Sequence, residues 1–502
     1  MAKCKHFDIC GLNAEIGFEG FCILHYANPN KDKKAFAKKF EEHRKNRGDD
    51  FRYFIFPEMM DFQGATFTEA AKFMGATFTE GAKFMGATFI KPANFSGATF
   101  DLWADFMGAT FTEAAIFFTA TFTKPVDFSE ATFTGAAYFR RDTFTEGADF
   151  TRATFIKPAN FSDATFTEAA NFSGATFTKL TNFSGATFDL WADFSGATFT
   201  EEPNFSGVKF TGGVDFWETI FEGGKENKVN FEFSKFLGRT LFIGKKEKDK
   251  ETIGIFKNVE VNFKNVDINP PSAVIFRDAD LSRCSFLGTR VDKIEFTGVK
   301  WAVIREKWGY SRTGIYDEKI LLDSIEQEKK SKKKDKKILN WEHIERVYCD
   351  LKTNHMESGD HERAGDFHYG EKEMRRRNPD TPFFHRILLN LYRIISGYGE
   401  SYLRPLIWAV VMLVFCTFGY LLLGISEVTK FFNYELKIPL NIANPMDWIK
   451  TSLYSLQVMA FMRPTYLEHT SLASTGLKVF QSIFGPVIIG LFALALRQRL
   501  KR

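Results

Sequence analysis

The residues with chemistry to offer stand at the start of the chain. The stretch CKHFDICGLNAEIGFEGFCILH sets Cys4, Cys10, Cys22 and His25 in an order that suits a tetrahedral zinc ion. The Cys-x2-His ending is its tightest part, and Gly20 before it permits a turn. His6 is a competing ligand. Four protein ligands close the coordination shell and leave no position for a reactive water. The predicted role is therefore structural, a zinc-binding head over residues 1–30. Unliganded thiols and a nucleic-acid-binding finger are the alternatives. Six cysteines in 502 residues do not make a disulfide framework. A second group of candidates, Phe461, Met462, Arg463, Ser482, Pro486 and Gly490, lies between and within two apolar stretches near the other end.

The elements that must position the first group are unusual. The chain has 59 phenylalanines. Phe62, Phe67, Phe73, Phe78, Phe84, Phe89, Phe95 and Phe100 open a series that alternates spacings of five and six as far as Phe216 and Phe221. Two positions before most of them stands a small residue, as at Ala71, Ala76, Ala82 and Ala87. An amphipathic helix would need spacings of three and four. A short flat face and then a corner explains the pattern, with the phenylalanine and the residue two before it both pointing inward. Four such faces make a coil that stacks on the last at about 4.8 Å. Burying each ring contributes roughly 1.5–3 kcal/mol, which offsets the ordering entropy only where neighbouring coils cover one another. The series loosens after Phe221 and is interrupted by GKKEKDKET from Gly244. It resumes at strict fives through Phe276, Leu281, Phe286, Val291, Phe296 and Trp301.

In these residues the sequence resembles the pentapeptide-repeat family, with phenylalanine where leucine is commoner and an 11-residue variant of the spacing. The resemblance implies a right-handed quadrilateral β-helix, here over residues 51–303. No catalytic constellation lies in the repeat, and no enzyme is expected. Residues 61–221 carry 19 acidic and 10 basic side chains. Some members of the family are acidic rods that imitate DNA. A solvated surface is the expected reading here, with an unidentified protein or ligand on the solenoid as partner and nucleic acid not expected.

KDKKAFAKKFEEHRKNR reads as a basic helical linker over 31–50. Residues 304–340, with lysine at seven of nine positions between Lys329 and Lys337, read as a charged linker. Residues 341–378 read as a helical hairpin, one stripe of it being Trp341, Ile344, Val347, Tyr348 and Leu351. His355, His361 and His368 have no metal-ligand spacing and are expected on exposed helix faces. Residues 379–404 have the apolar face of an interfacial helix.

Pro405 to Ile425 runs without a charge, long enough to span a bilayer, and Val479 to Leu496 is a second apolar stretch of 18 residues. Arg375–Arg377 and Arg404 flank the first, and Arg497, Arg499, Lys501 and Arg502 follow the second. This pattern places both termini in the cytoplasm and the protein in the inner membrane. Between them NPMDWIKTSLYSLQVMAFM begins with Asn444 as N-cap, Pro445 at the first helical position and Asp447 in the first turn. It is too short and polar to span. Span, re-entrant pore helix, span over 405–502 resembles the ion-channel domain of membrane-attached pentapeptide-repeat proteins, which is similar to the two-span potassium channels. That resemblance implies a multidomain membrane protein and a homotetramer. No glycine occurs between Gly424 and Gly476, so a potassium-type ladder of carbonyls is unavailable. The expected function is weakly selective ion conduction, with the solenoid as sensor or docking scaffold. Arg463 either faces the axis, disfavouring cations, or caps the pore helix. Ser482, Pro486 and Gly490 either line the conduit or let helices pack closely. The alternative function is a membrane-tethered scaffold without conductance.

Overall fold

The computed structural model describes residues 2–28, 30–222, 228–245, 254–270, 273–306, 311–331, 341–431, 434–462 and 464–500. The chain divides into two compact units, Met1–Ile338 and Leu339–Arg502.

The first unit begins with α1 (Phe7–Cys10) and α2 (Lys33–Arg47). Strands β1 (Ile55–Phe56) to β39 (Glu295–Thr297) then wind into a four-sided β-solenoid, its parallel sheets holding 10, 11, 8 and 10 strands. Register advances one coil at a time: Ile55 lies opposite Thr77, and Ala104 opposite Val126. The interior is phenylalanine. Phe73 stacks on Phe95, and Phe84 on Phe106, with centroids 4.7 Å apart and rings 2° from parallel. Neighbouring columns meet edge to face, as Phe73 and Phe84 do at 5.6 Å and 86°. Both arrangements suit the ring quadrupole. Ala71, Ala76, Ala82 and Ala87 are fully buried beside the rings they precede.

Two kinds of corner alternate, which explains the five-six rhythm. At the five-residue spacing the chain turns tightly, Ala65 N donating to Phe62 O at 3.0 Å, with Gly64 at φ 64°. Glycine recurs there at Gly75, Gly86, Gly97 and Gly108. It then gives way to Thr119, Glu130, Arg141, Arg152 and Asp163, all at φ 56–58°. Each of these costs about 1 kcal/mol relative to glycine. The six-residue spacing rounds its corner without a left-handed residue, except between Phe210 and Phe216, where Gly213 has φ 114°.

The solenoid ends in a built cap where the sequence reading expects a charged linker. β40 (Ala302–Arg305) pairs antiparallel with β41 (Ser311–Gly314), and α3 (Tyr316–Ser331) follows. Three polar groups anchor it. Arg312 forms a fully buried ion pair with Glu318 at 2.6 Å. Asp317 accepts from Phe286 N at 3.0 Å and Ser285 Oγ at 2.5 Å, satisfying the edge of the last coils. The lysine run at 329–337 lies mostly outside the described residues.

The second unit holds α4 (Trp341–Glu357), α5 (His361–Arg377), α6 (Phe383–Ser396), α7 (Leu403–Leu423), β42 (Ile425–Phe431), β43 (Tyr434–Pro439), α8 (Pro445–Met459), β44 (Leu467–His469) and α9 (Leu472–Leu500). α4 and α5 form a hairpin that buries the stripe from Trp341 to Leu351. Gly370 admits Tyr348, whose ring would lie 2.5 Å from any added Cβ. His355 is buried rather than exposed. Its ring lies 5.1 Å from Phe367 and 3.4 Å from an Asp360 oxygen. β42 pairs with both β43 and β44, an antiparallel sheet between the apolar helices that the sequence reading omits. β43 has six residues that alternate apolar with polar, a strand pattern the sequence reading passes over, while β44 has three residues, below what periodicity resolves.

One residue breaks the interior rule. Asp142 occupies the inward position that alanine holds at Ala98, Ala120, Ala164 and Ala186, and it is 1% exposed. Oδ1 accepts from Ala120 N at 2.9 Å, while Oδ2 has no partner. Burial raises this carboxyl well above the usual range, so folding takes up its proton. Stability is then greatest below the ordinary carboxylate value and falls as pH rises. Asp142→Ala should stabilise coils 117–166 by about 1–2 kcal/mol at neutral pH. The gain should vanish in acid. Amide exchange across those coils measures it, and a variant that exchanges faster at every pH would contradict it.

Candidate functional site

Cys4, Cys10, Cys22 and His25 come together and are all buried. Their ligand atoms lie within 4.8 Å of one another. Cys22 Sγ is 3.7 Å from Cys10 Sγ and 3.3 Å from His25 Nδ1, and Cys4 Sγ is 3.6 Å from His25 Nδ1. A tetrahedral ion with sulfur at about 2.3 Å would set edges of about 3.5–3.8 Å, so this donor set fits a metal ion. The shell around it is built as well. His25 Nε2 lies 3.2 Å from Arg52 O, which selects the tautomer with Nδ1 available as a ligand. Cys22 N donates to Cys4 Sγ at 3.3 Å and Leu12 N to Cys10 Sγ at 3.4 Å. The hydrogen bond with Cys22 draws the Cys10 thiol below its usual range. His6, the competing ligand, instead stacks on Tyr53 at 4.7 Å.

The same head covers the open end of the solenoid. Ile55 N donates to Leu24 O at 2.9 Å, and the His25 ring meets Phe54 edge-on at 5.0 Å. α2 is packed where a linker is expected. Asp32 caps it at Ala35 N, and it lays Phe36 against Phe56 at 5.9 Å and Phe40 against Phe51 at 5.3 Å. Lys31 is buried beneath it, donating to Ile23 O at 2.7 Å and Tyr26 O at 3.1 Å, over the Phe36 ring. Burial brings this amine down to about 7.

The second candidate region lies in the other unit. Two helices are long and apolar enough to cross a membrane, Leu403–Leu423 and Leu472–Arg497. The second begins seven residues before the apolar stretch read from sequence. α8 packs against both of their helices. Asn444 caps it at Met446 N, and Asp447 accepts from Asn441 N. A polar network that sequence reasoning missed runs through this packing. Tyr420 Oη donates to Gln481 Oε1 at 2.6 Å, and Gln481 Nε2 donates to Ser455 O at 3.2 Å. Tyr454 Oη lies 2.8 Å from His469 Nε2, and Ser474 Oγ is 3.1 Å from its Nδ1. The signal was present as isolated polar residues in apolar surroundings, which in lipid are expensive and kept for a reason.

The predicted pore residues do not form one cluster among the described residues. Phe461 and Met462 follow α8 and are 76% and 61% exposed, Phe461 at φ 58°. Arg463 lies outside the described residues. Ser482 donates its hydroxyl to Val479 O, Pro486 lies inside α9, and Gly490 has open space around it. The close approach is at Gly485, where an added Cβ would meet Met459 at 3.0 Å.

The pentapeptide-repeat family model matches nine copies between residues 62 and 224, in segments 62–101, 73–120, 117–165, 150–191, 161–203 and 190–224. The solenoid is thus built of pentapeptide repeats. No curated protein and no solved structure matches the chain.

If a metal holds the head, its removal uncaps the first coil. One bound ion per chain is expected by elemental analysis. Chelation, or Cys22→Ser, should speed amide exchange over residues 51–62 by at least about tenfold while coils beyond Phe100 are unchanged. Unchanged exchange after the metal is gone would contradict a structural role.

Proposed function

We propose that this chain is a weakly selective membrane ion channel whose cytoplasmic pentapeptide-repeat solenoid, capped by a zinc site, serves as sensor or docking scaffold. The carrying observation is the arrangement of α7, α8 and α9. Two helices apolar enough to cross a membrane flank a capped 15-residue helix that is too short to do so. All three are tied by buried hydrogen bonds, as a half-helix held at membrane depth would require. The outward faces are apolar, with Val414, Phe415 and Leu422 of α7 at 56%, 60% and 65% exposed. α8 leaves Met446, Ile449, Leu453 and Leu456 uncovered in the same way. Lipid would cover the first set and a neighbouring subunit the second, four copies closing around an axis.

Zinc is the metal of choice for a buried Cys3His set of this spacing. The site is closed and supplies rigidity, not reaction. Arginines before α7 and after α9 favour an orientation with both termini in the cytoplasm of a cell bounded by an inner membrane.

Purified protein fused into planar bilayers should give discrete current steps that are weakly selective between cations and anions. Arg463→Glu should move the reversal potential toward the cation equilibrium value. A silent bilayer with protein demonstrably inserted would favour the tethered scaffold instead.

A further inference from the structure

Four arginines gather at the approach to the first apolar helix. Glu373 of α5 is fully buried. Its carboxylate accepts from Arg376 Nε at 3.1 Å and Nη2 at 2.8 Å, from Arg377 Nε at 2.9 Å and from Tyr398 Oη at 2.7 Å. Arg393 Nε lies 3.1 Å from the same group. Burial alone would lift this carboxyl, but hydrogen bonding from Arg376 and the charges of Arg376, Arg377 and Arg393 hold it down to about 2. It therefore stays ionised and anchors three guanidinium groups. Arg404, whose Nη1 donates to Arg393 O at 3.0 Å, adds a fourth. Glu400 is the one acidic residue between α6 and α7. Four guanidinium groups are thus gathered and held at a partly buried place.

The surface adjoining these guanidinium groups is apolar. α6 leaves Phe383, Phe384, Leu388, Leu391 and Ile394 exposed, the second of them at 83%. Its polar residues turn into the arginine cluster, Asn390 Oδ1 accepting from Arg376 Nη1 at 3.2 Å. An apolar face on one side and a fixed basic cluster on the other is the division between acyl chains and headgroups. The surface is continuous with the candidate span, since Trp408 Nε1 of α7 donates to Ile394 O at 3.3 Å.

We propose that the cluster of Arg376, Arg377, Arg393 and Arg404 is a docking surface for anionic lipid, the headgroup phosphate seated among the guanidinium groups and the acyl chains lying along α6. This rests on the membrane reading above. Planar guanidinium donors match phosphate oxygens, and their anchoring on Glu373 means little side-chain freedom is lost on binding. A zwitterionic lipid carries its own ammonium, which the guanidinium groups repel. The pairing is electrostatic and weakens with salt.

Trp408 provides the readout. Full-length protein is placed in vesicles of mixed phosphatidylglycerol and phosphatidylcholine, with bromine on the chains of one lipid or the other. The Trp408 part of the fluorescence is isolated by difference with Trp408→Phe. Brominated phosphatidylglycerol should compete for the site about tenfold better than brominated phosphatidylcholine at low salt, and the difference should shrink as salt is added. Arg377→Gln should reduce the preference and Glu373→Gln should increase it, opposite shifts that a purely structural role for the cluster would not produce. The salt dependence of the unmodified chain carries the test should either variant fail to fold. Equal quenching by both lipids would overturn the proposal and leave the membrane reading standing. Loss of the preference on adding inorganic phosphate would make the occupant a soluble anion and also overturn it. Quenching by neither lipid would place Trp408 outside the bilayer and overturn both.

Discussion

Phenylalanine buried between the coil before and the coil after is the constraint on which the first unit depends. A single coil covers nothing. Its rings gain their burial from neighbours at 4.6–5.6 Å, so the structure grows only by repetition, and its two ends need covers of another kind. Each end is closed by a different device, the Cys3His head with α2 at one and the Arg312–Glu318 hairpin and helix at the other. Neither cap has the rhythm of the repeat, because each must be apolar toward the coils and polar outward.

The same requirement for coverage acts on the second unit with the opposite result. Its helices bury a polar network among themselves and leave apolar surface outside. For residues in water that arrangement is inverted; in a bilayer, with neighbours, it is the stable one. The arginines on Glu373 mark where such a surface would pass from chains to headgroups.

Much of this was legible because the interior repeats. The five-six spacing of Phe62 to Phe221 and the small residues two places earlier gave the inward set, and the ligand quartet was readable from Cys4 to His25 because metal geometry restricts both spacing and type. Asn444, Pro445 and Asp447 marked the start of α8 through cap chemistry. What escaped was decided at a distance. Asp142 stands two before Phe144, so the spacing already places it inward, but that its Oδ2 finds no partner is visible only in the structure. The segment 304–340 reads as linker because a buried Arg–Glu pair has the composition of a solvated one. β44 is too short to announce itself, and Gln481 gains meaning only from Tyr420 and Ser455, which lie on other helices.

The central claim is that several copies of the second unit must assemble around an axis to enclose a polar path. The mass of the detergent-solubilised protein, measured by light scattering with the detergent contribution subtracted, tests it most directly. Four chains per particle, stable on dilution, are expected. A particle of one chain would leave the outward face of α8 with nothing to cover it, and would contradict the proposed channel.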